Sequence, residues 1–111
     1  MSTITTHILD TALGKPASNV TITLDQLTNE GWQQIARGKT DSDGRLKTLT
    51  PEPIVPGHYR LTAEIGDYFA QTNRPSLYLT AQIDFVITQT GEHFHLPYLI
   101  TPNSWSTYRG S

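Results

Sequence analysis

Two histidines two positions apart, His93 and His95, and an arginine-bearing stretch, Tyr108-Arg109-Gly110-Ser111, are the residues of this chain best suited to chemistry. Imidazole ionises near pH 6.5, so it can take a proton from water and return one close to neutral pH. A guanidinium is a permanent cation with forked donors, suited to an anionic ligand or to an oxyanion that develops during reaction. The hydroxyls of Tyr108 and Ser111 add polar groups beside that cation. A third imidazole, His7, and a second arginine, Arg45, lie far off in sequence but offer the same chemistry. Three imidazoles could also hold zinc, yet no carboxylate or thiolate obviously converges with them, and no metal is expected.

Such groups need a frame, and alternation supplies one. Ile4, Thr6 and Ile8 alternate with Thr5, His7 and Leu9; Val20, Ile22 and Leu24 mark a second strand; Thr28-Asn29-Glu30-Gly31 reads as a hairpin into Trp32–Thr40. Gly14-Lys15-Pro16 and Asp41-Ser42-Asp43-Gly44 read as turns, the latter leading to a short strand near Arg45. Tyr59, Leu61, Ala63 and Ile65 alternate again, then residues 66–73 break the pattern as one short helix with Asp67 as its N-cap. Strands follow around Ile83–Ile87, His93–Ile100 and Ser104–Arg109. Seven or eight short strands with turns between them predict an all-β, two-sheet antiparallel sandwich.

The same alternation sorts the chemistry by face. Phe94, Leu96, Tyr98 and Ile100 share one face of their strand, so His93 and His95 share the other. His7 likewise falls opposite Ile4 and Ile8. The outer face that carries His95 also holds Pro97 and Leu99, with Trp105 and Tyr108 added by the last strand. That much apolar area on an outer face predicts association with another subunit, with the histidines lining the resulting cleft.

Bulk properties narrow the partners. The 111 residues allow one domain, 1–111. A formal charge of −2 offers no basic footprint for nucleic acid or an anionic membrane, so a small molecule or another protein is expected. The chain has no cysteine, hence no thiol nucleophile and no disulfide framework. No leader-like segment or membrane-length apolar run is visible, and a cytoplasmic location is expected. Gly38-Lys39-Thr40 lacks the upstream glycine of a phosphate loop, because Gln33 stands there. Asp41, Asp43 and Gly44 fail as a calcium loop, because Lys39 and Thr50 would occupy its first and last ligand positions.

Four fragments in order, Thr6-His7-Ile8-Leu9-Asp10 with Gly14-Lys15-Pro16-Ala17, Thr40-Asp41-Ser42-Asp43-Gly44-Arg45, His93-Phe94-His95-Leu96-Pro97, and Ser106-Thr107-Tyr108-Arg109-Gly110-Ser111, resemble the 5-hydroxyisourate hydrolases. These are the transthyretin-related enzymes of urate breakdown, and the resemblance spans essentially the whole chain. It implies a transthyretin-like sandwich of about eight strands with one short helix, and a homotetramer with active sites where two dimers meet. It also implies cofactor-free opening of a ring amide of 5-hydroxyisourate to 2-oxo-4-hydroxy-4-carboxy-5-ureidoimidazoline. The implied catalytic residues are His7, Arg45, His95 and Ser111, with Arg45, Tyr108, Arg109 and Gly110 binding substrate. Thr101-Pro102-Asn103-Ser104-Trp105 departs from the family's usual stretch and bears on the subunit interface. Two other readings compete: a transthyretin-like carrier that binds a small ligand without turnover, and a zinc hydrolase built on the histidines.

Overall fold

The computed structural model describes residues 3–47, 49–50, 54–89 and 91–110. Nine strands and one helix are found among them: β1 (Thr3–Asp10), β2 (Lys15–Pro16), β3 (Thr21–Thr28), β4 (Gly31–Lys39), β5 (Arg45–Leu46), β6 (Gly57–Ala63), α1 (Ile65–Gln71), β7 (Ala81–Ile87), β8 (His93–Thr101) and β9 (Ser104–Thr107). They form two sheets. One has the order β2-β1-β8-β9, with β5 also pairing β1; the other has the order β4-β3-β6-β7.

Alternation decides which side chains enter the space between the sheets. Ile4, Ile8, Phe94, Leu96, Tyr98 and Ile100 from the first sheet meet Ile22, Leu24, Tyr59, Leu61, Ile83 and Ile87 from the second, all buried. Tyr98 is buried completely and its hydroxyl donates to the Leu61 and Ala81 carbonyls at 3.0 and 3.1 Å. The polar tip of a core ring thus ties one sheet to backbone of the other.

Four details differ from the sequence reading. The sandwich is antiparallel except where β1 and β8 run parallel at the centre of their sheet. Such a pairing joins residues some ninety positions apart, so no local turn signal announces it. Lys15-Pro16 is a two-residue strand on the edge of β1 rather than a turn alone. The helix begins at Ile65, because Ile65, Tyr68 and Phe69, spaced for one helical face, all enter the core; Glu64 is its N-cap and Asp67 lies in the first turn, where a carboxylate favours the helix dipole. Trp105 packs against the core with its ring 6.0 Å from Tyr98, because the register sets it opposite Ile100 and so on the inner face.

Candidate active site

The parallel register aligns Thr3 with His93, Thr5 with His95, His7 with Pro97 and Leu9 with Leu99. All eight belong to the outer face; His7, His93 and His95, each expected on an outer face, fall on the same side of the same sheet. His7 and His95 are half-buried; His93 is exposed.

Arg45 reaches this face through a turn built by its neighbours. The Asp41 side chain accepts hydrogen bonds from the Asp43 and Arg45 amides at 2.9 and 3.0 Å, and the Gly44 amide donates to the Asp41 carbonyl at 2.9 Å. Gly44 has φ +74°, and a Cβ there would lie 2.5 Å from the Ile8 carbonyl oxygen, so only glycine lets the turn press against β1. Its carbonyl then accepts from the Ile8 amide at 2.8 Å, and the register sets Arg45 directly opposite His7.

An open depression of about 200 Å³ is lined by Thr5, Thr6, Arg45, Lys47, His93 and His95. Burial, and next the Arg45 charge, push both His7 and His95 below the ordinary imidazole value. For His7 a hydrogen bond to the Asp43 backbone and the Asp41 and Asp43 charges oppose the shift without reversing it. For His95 the neighbouring His7 and His93 push in the same downward direction. Both rings are therefore held neutral near pH 7, in the state that accepts a proton.

Gly110 closes one side of His95. Its amide donates to the His95 carbonyl at 2.7 Å, and a Cβ at this position would lie 2.6 Å from His95 Cδ2. The glycine is needed here for space beside the imidazole edge. The pairings of Tyr98 with Thr107 and His95 with Gly110 set Tyr108 across from Pro97, on the histidine face, where it is exposed.

Arg109 goes elsewhere. Its guanidinium pairs with Glu92 at 3.2 Å and lies 4.5 Å over the Phe94 ring, so the single chain does not bring it to His7, Arg45 and His95. Ser111 lies outside the described residues. No three histidine, cysteine, aspartate or glutamate side chains form a metal-ligand group among the described residues.

The sequence reading passed over Thr5, Lys47 and the tie between His93 and the site. Thr5 Oγ1 lies 2.8 Å from His95 Nδ1 and 3.2 Å from His93 Nε2, and Thr3 Oγ1 lies 2.6 Å from His93 Nδ1. Thr5 has the parity of His7, so alternation already set it on the outer face; only the neighbouring strand's register identifies its partners.

A second, larger depression of about 490 Å³ lies beside α1, lined in part by Lys15, Tyr68 and Arg74. Arg74 and Tyr68 are both bound to Asp10, whereas the smaller depression holds the His95 ring, whose Nε2 has no hydrogen-bond partner among the described residues. Chemistry, not volume, marks the site.

The profile of the HIUase/Transthyretin family matches residues 4–110. A 5-hydroxyisourate hydrolase of Salmonella dublin is 41% identical over 109 residues, spanning 97% of this chain and 80% of that protein. The solved structure of the 5-hydroxyisourate hydrolase of Klebsiella pneumoniae is similar with a TM-score of 0.91 at 48% identity, covering 100% of both chains. Sea bream transthyretin, solved in complex with thyroxine, gives a TM-score of 0.90 at 30% identity over 96% of this chain and 93% of its own.

Proposed function

The chain belongs to the HIUase/Transthyretin family, and from that premise we propose that His7, Arg45 and His95 are the centre of an active site that opens a ring amide of 5-hydroxyisourate with water. The activity is hydrolysis of 5-hydroxyisourate in urate degradation, as in the 5-hydroxyisourate hydrolases it resembles over nearly its full length. The observation that carries the residue assignment is two neutral-leaning imidazoles beside one uncommitted arginine on a single outer face.

In this reading the imidazoles orient the attacking water and accept its proton, while Arg45 binds the acidic heterocycle and meets the negative charge that grows on the carbonyl oxygen. A fixed guanidinium stabilises that oxyanion more than it stabilises the neutral carbonyl, which is the difference that accelerates reaction. Tyr108 and Gly110 shape the wall, and Ser111 assists through its hydroxyl. Arg109 joins substrate binding by exchanging the Glu92 carboxylate for the substrate anion. No cofactor enters this scheme.

The assembly belongs to the same proposal. Leu9, Leu99 and Tyr108 leave apolar surface around the histidines, and a homotetramer whose dimers meet on this face would cover it and enclose the reaction. A cytoplasmic location completes the reading; a cysteine-free chain suits a reducing compartment.

The test is ultraviolet decay of 5-hydroxyisourate generated in place by urate oxidase. The expected result is decay well above the spontaneous rate, lost when Arg45 is replaced by Met. Decay at the spontaneous rate would instead establish the carrier reading, which the similarity to a thyroxine-bound transthyretin keeps in view.

A further inference from the structure

The outer face holds a continuous chain of hydrogen-bonding groups that the reaction as described does not use: Thr3 Oγ1 to His93 Nδ1 at 2.6 Å, His93 Nε2 to Thr5 Oγ1 at 3.2 Å, and Thr5 Oγ1 to His95 Nδ1 at 2.8 Å. It runs from a half-buried imidazole to an exposed one. We infer that Thr5 and His93 form a proton relay that sets the tautomer of His95, so that one ring serves first as base and then as acid. This rests on the reading of His95 as a reacting group.

Thr5 has a single hydroxyl proton and touches two ring nitrogens, so it donates to one ring while accepting from the other. Two arrangements satisfy every group. In the first, His95 Nδ1–H donates to Thr5, Thr5 donates to His93 Nε2, and His93 Nδ1–H donates to Thr3. In the second, all three bonds reverse: Thr3 donates to His93 Nδ1, His93 Nε2–H to Thr5, and Thr5 to His95 Nδ1.

The reversal matters because of what faces the cleft. The Cδ2 edge of His95 is against Gly110 and its Nδ1 is against Thr5, which leaves Nε2 without a hydrogen-bond partner among the described residues. In the first arrangement Nε2 carries a lone pair and is a base. In the second it carries a proton and is an acid.

The two arrangements differ by one proton gained at His95 Nε2 and one lost at His93 Nδ1. In the attack step Nε2 takes a proton from water as the new C–O bond forms. The Nδ1 proton passes to Thr5, the Thr5 proton passes to His93 Nε2, and the His93 Nδ1 proton passes to Thr3, whose own hydroxyl proton leaves to solvent. In the collapse step Nε2–H protonates the leaving ring nitrogen as the C–N bond breaks. His93 regains a proton from solvent through Thr3 and the chain returns to its first arrangement. The new carboxylic acid then ionises, so the balance is one water consumed and one proton released.

The charges around the relay favour this traffic. Burial, the Arg45 charge from β5, and the neighbouring His7 of β1 and His93 of β8 all disfavour a standing imidazolium at His95, and Lys47 adds a further cation to the lining of the depression. Glu92 adjoins His93 in the chain, but its carboxylate is taken up by Arg109, which lies over Phe94. A proton is therefore better passed outward than kept.

The test uses Thr5→Val, which keeps the branched shape without the hydroxyl, Thr5→Ser, which keeps the hydroxyl, His93→Asn, and the Thr5→Val/His93→Asn double variant, with His95→Asn as the reference for the site. Expected is a fall in kcat of about tenfold or more for Thr5→Val and His93→Asn with KM little changed. Near wild-type turnover is expected for Thr5→Ser, and a double variant no slower than the slower single one. Nitrogen-15 NMR of the histidine rings should show His95 exchanging between tautomers in the wild type and losing that exchange in Thr5→Val. Wild-type kcat in Thr5→Val, an equal loss in Thr5→Ser, or multiplicative losses in the double variant would each overturn the relay. If His95→Asn itself keeps full activity, the fault lies with the active-site reading on which the relay depends.

Discussion

Strand β1 carries two ionisable groups three positions apart that meet opposite fates. His7 points outward, half-buried, beside the arginine across the register. Asp10 points inward, wholly buried, with its carboxylate bonded to Arg74, to the Tyr68 hydroxyl at 2.8 Å and to the Leu13 amide at 3.1 Å. Burial alone would raise the Asp10 carboxyl, but the bonds from Arg74, Tyr68 and Leu13 outweigh it and hold the group below the usual carboxylate range. The same carboxylate adds to the burial that pushes the Tyr68 hydroxyl up to about 12. A saturated charge is structure, and an unsaturated imidazole is chemistry.

Substitutions should separate the two. His7→Asn is expected to lower kcat/KM by about 10²–10⁴-fold, the usual worth of an acid–base group, while a thermal melt moves by no more than a surface change would. Asp10→Ala should do the reverse. It leaves Arg74 and Tyr68 without their buried partner and costs about 3 kcal/mol in a denaturant titration, with per-site activity of the folded fraction retained. If His7→Asn melted as early as Asp10→Ala, the division of labour along β1 would be wrong.

Gly110→Ala comes next in size. The added methyl meets the His95 ring edge at a distance that real contacts do not allow, so the imidazole must turn. Steady-state kinetics should show kcat falling about tenfold, consistent with a displaced reacting group, and little change in unfolding.

The mildest probe is pH. Both active-site imidazoles are shifted down, so activity should hold through pH 7 and fall only as the pH drops below the ordinary imidazole value and protonates them. Asp10 has a lowered folded-state value, so its stabilisation is complete above the unfolded carboxyl pKa of about 3.9 and is lost as pH falls through the folded value. A pH–rate profile and a pH–melting curve should therefore have separate acid limbs, the rate limb at higher pH. Coincident limbs would mean that the loss of activity is unfolding.

Much of this was legible before any coordinates, because period-two alternation is local and rigid. It set His7, His93 and His95 on outer faces and Phe94, Leu96, Tyr98 and Ile100 in the core, and the structure keeps each there. The family fragments named the chemistry. Three things were hidden for one reason, that each depends on which residue of another strand lies alongside, and alternation within one strand does not carry that register. The parallel β1–β8 register pairs Thr5 with His95; the β8–β9 register turns Trp105 inward; and Arg109 finds Glu92 and Phe94 rather than the histidines. The helix start was missed for a different reason. A capping preference at Asp67 yielded to the larger burial of Ile65.

The parallel pairing of β1 with β8 has a kinetic consequence. Thr5 and His95 are ninety residues apart, and every bond of the relay spans nearly that separation. Closing so long a loop is entropically opposed until most other strands have docked, and no hairpin can template it. The β3–β4 hairpin can form early from its own turn, whereas the reactive imidazoles become neighbours only when the first sheet is complete. Competence for catalysis is therefore acquired late in folding, and a partly folded chain carries all the reactive groups without a site.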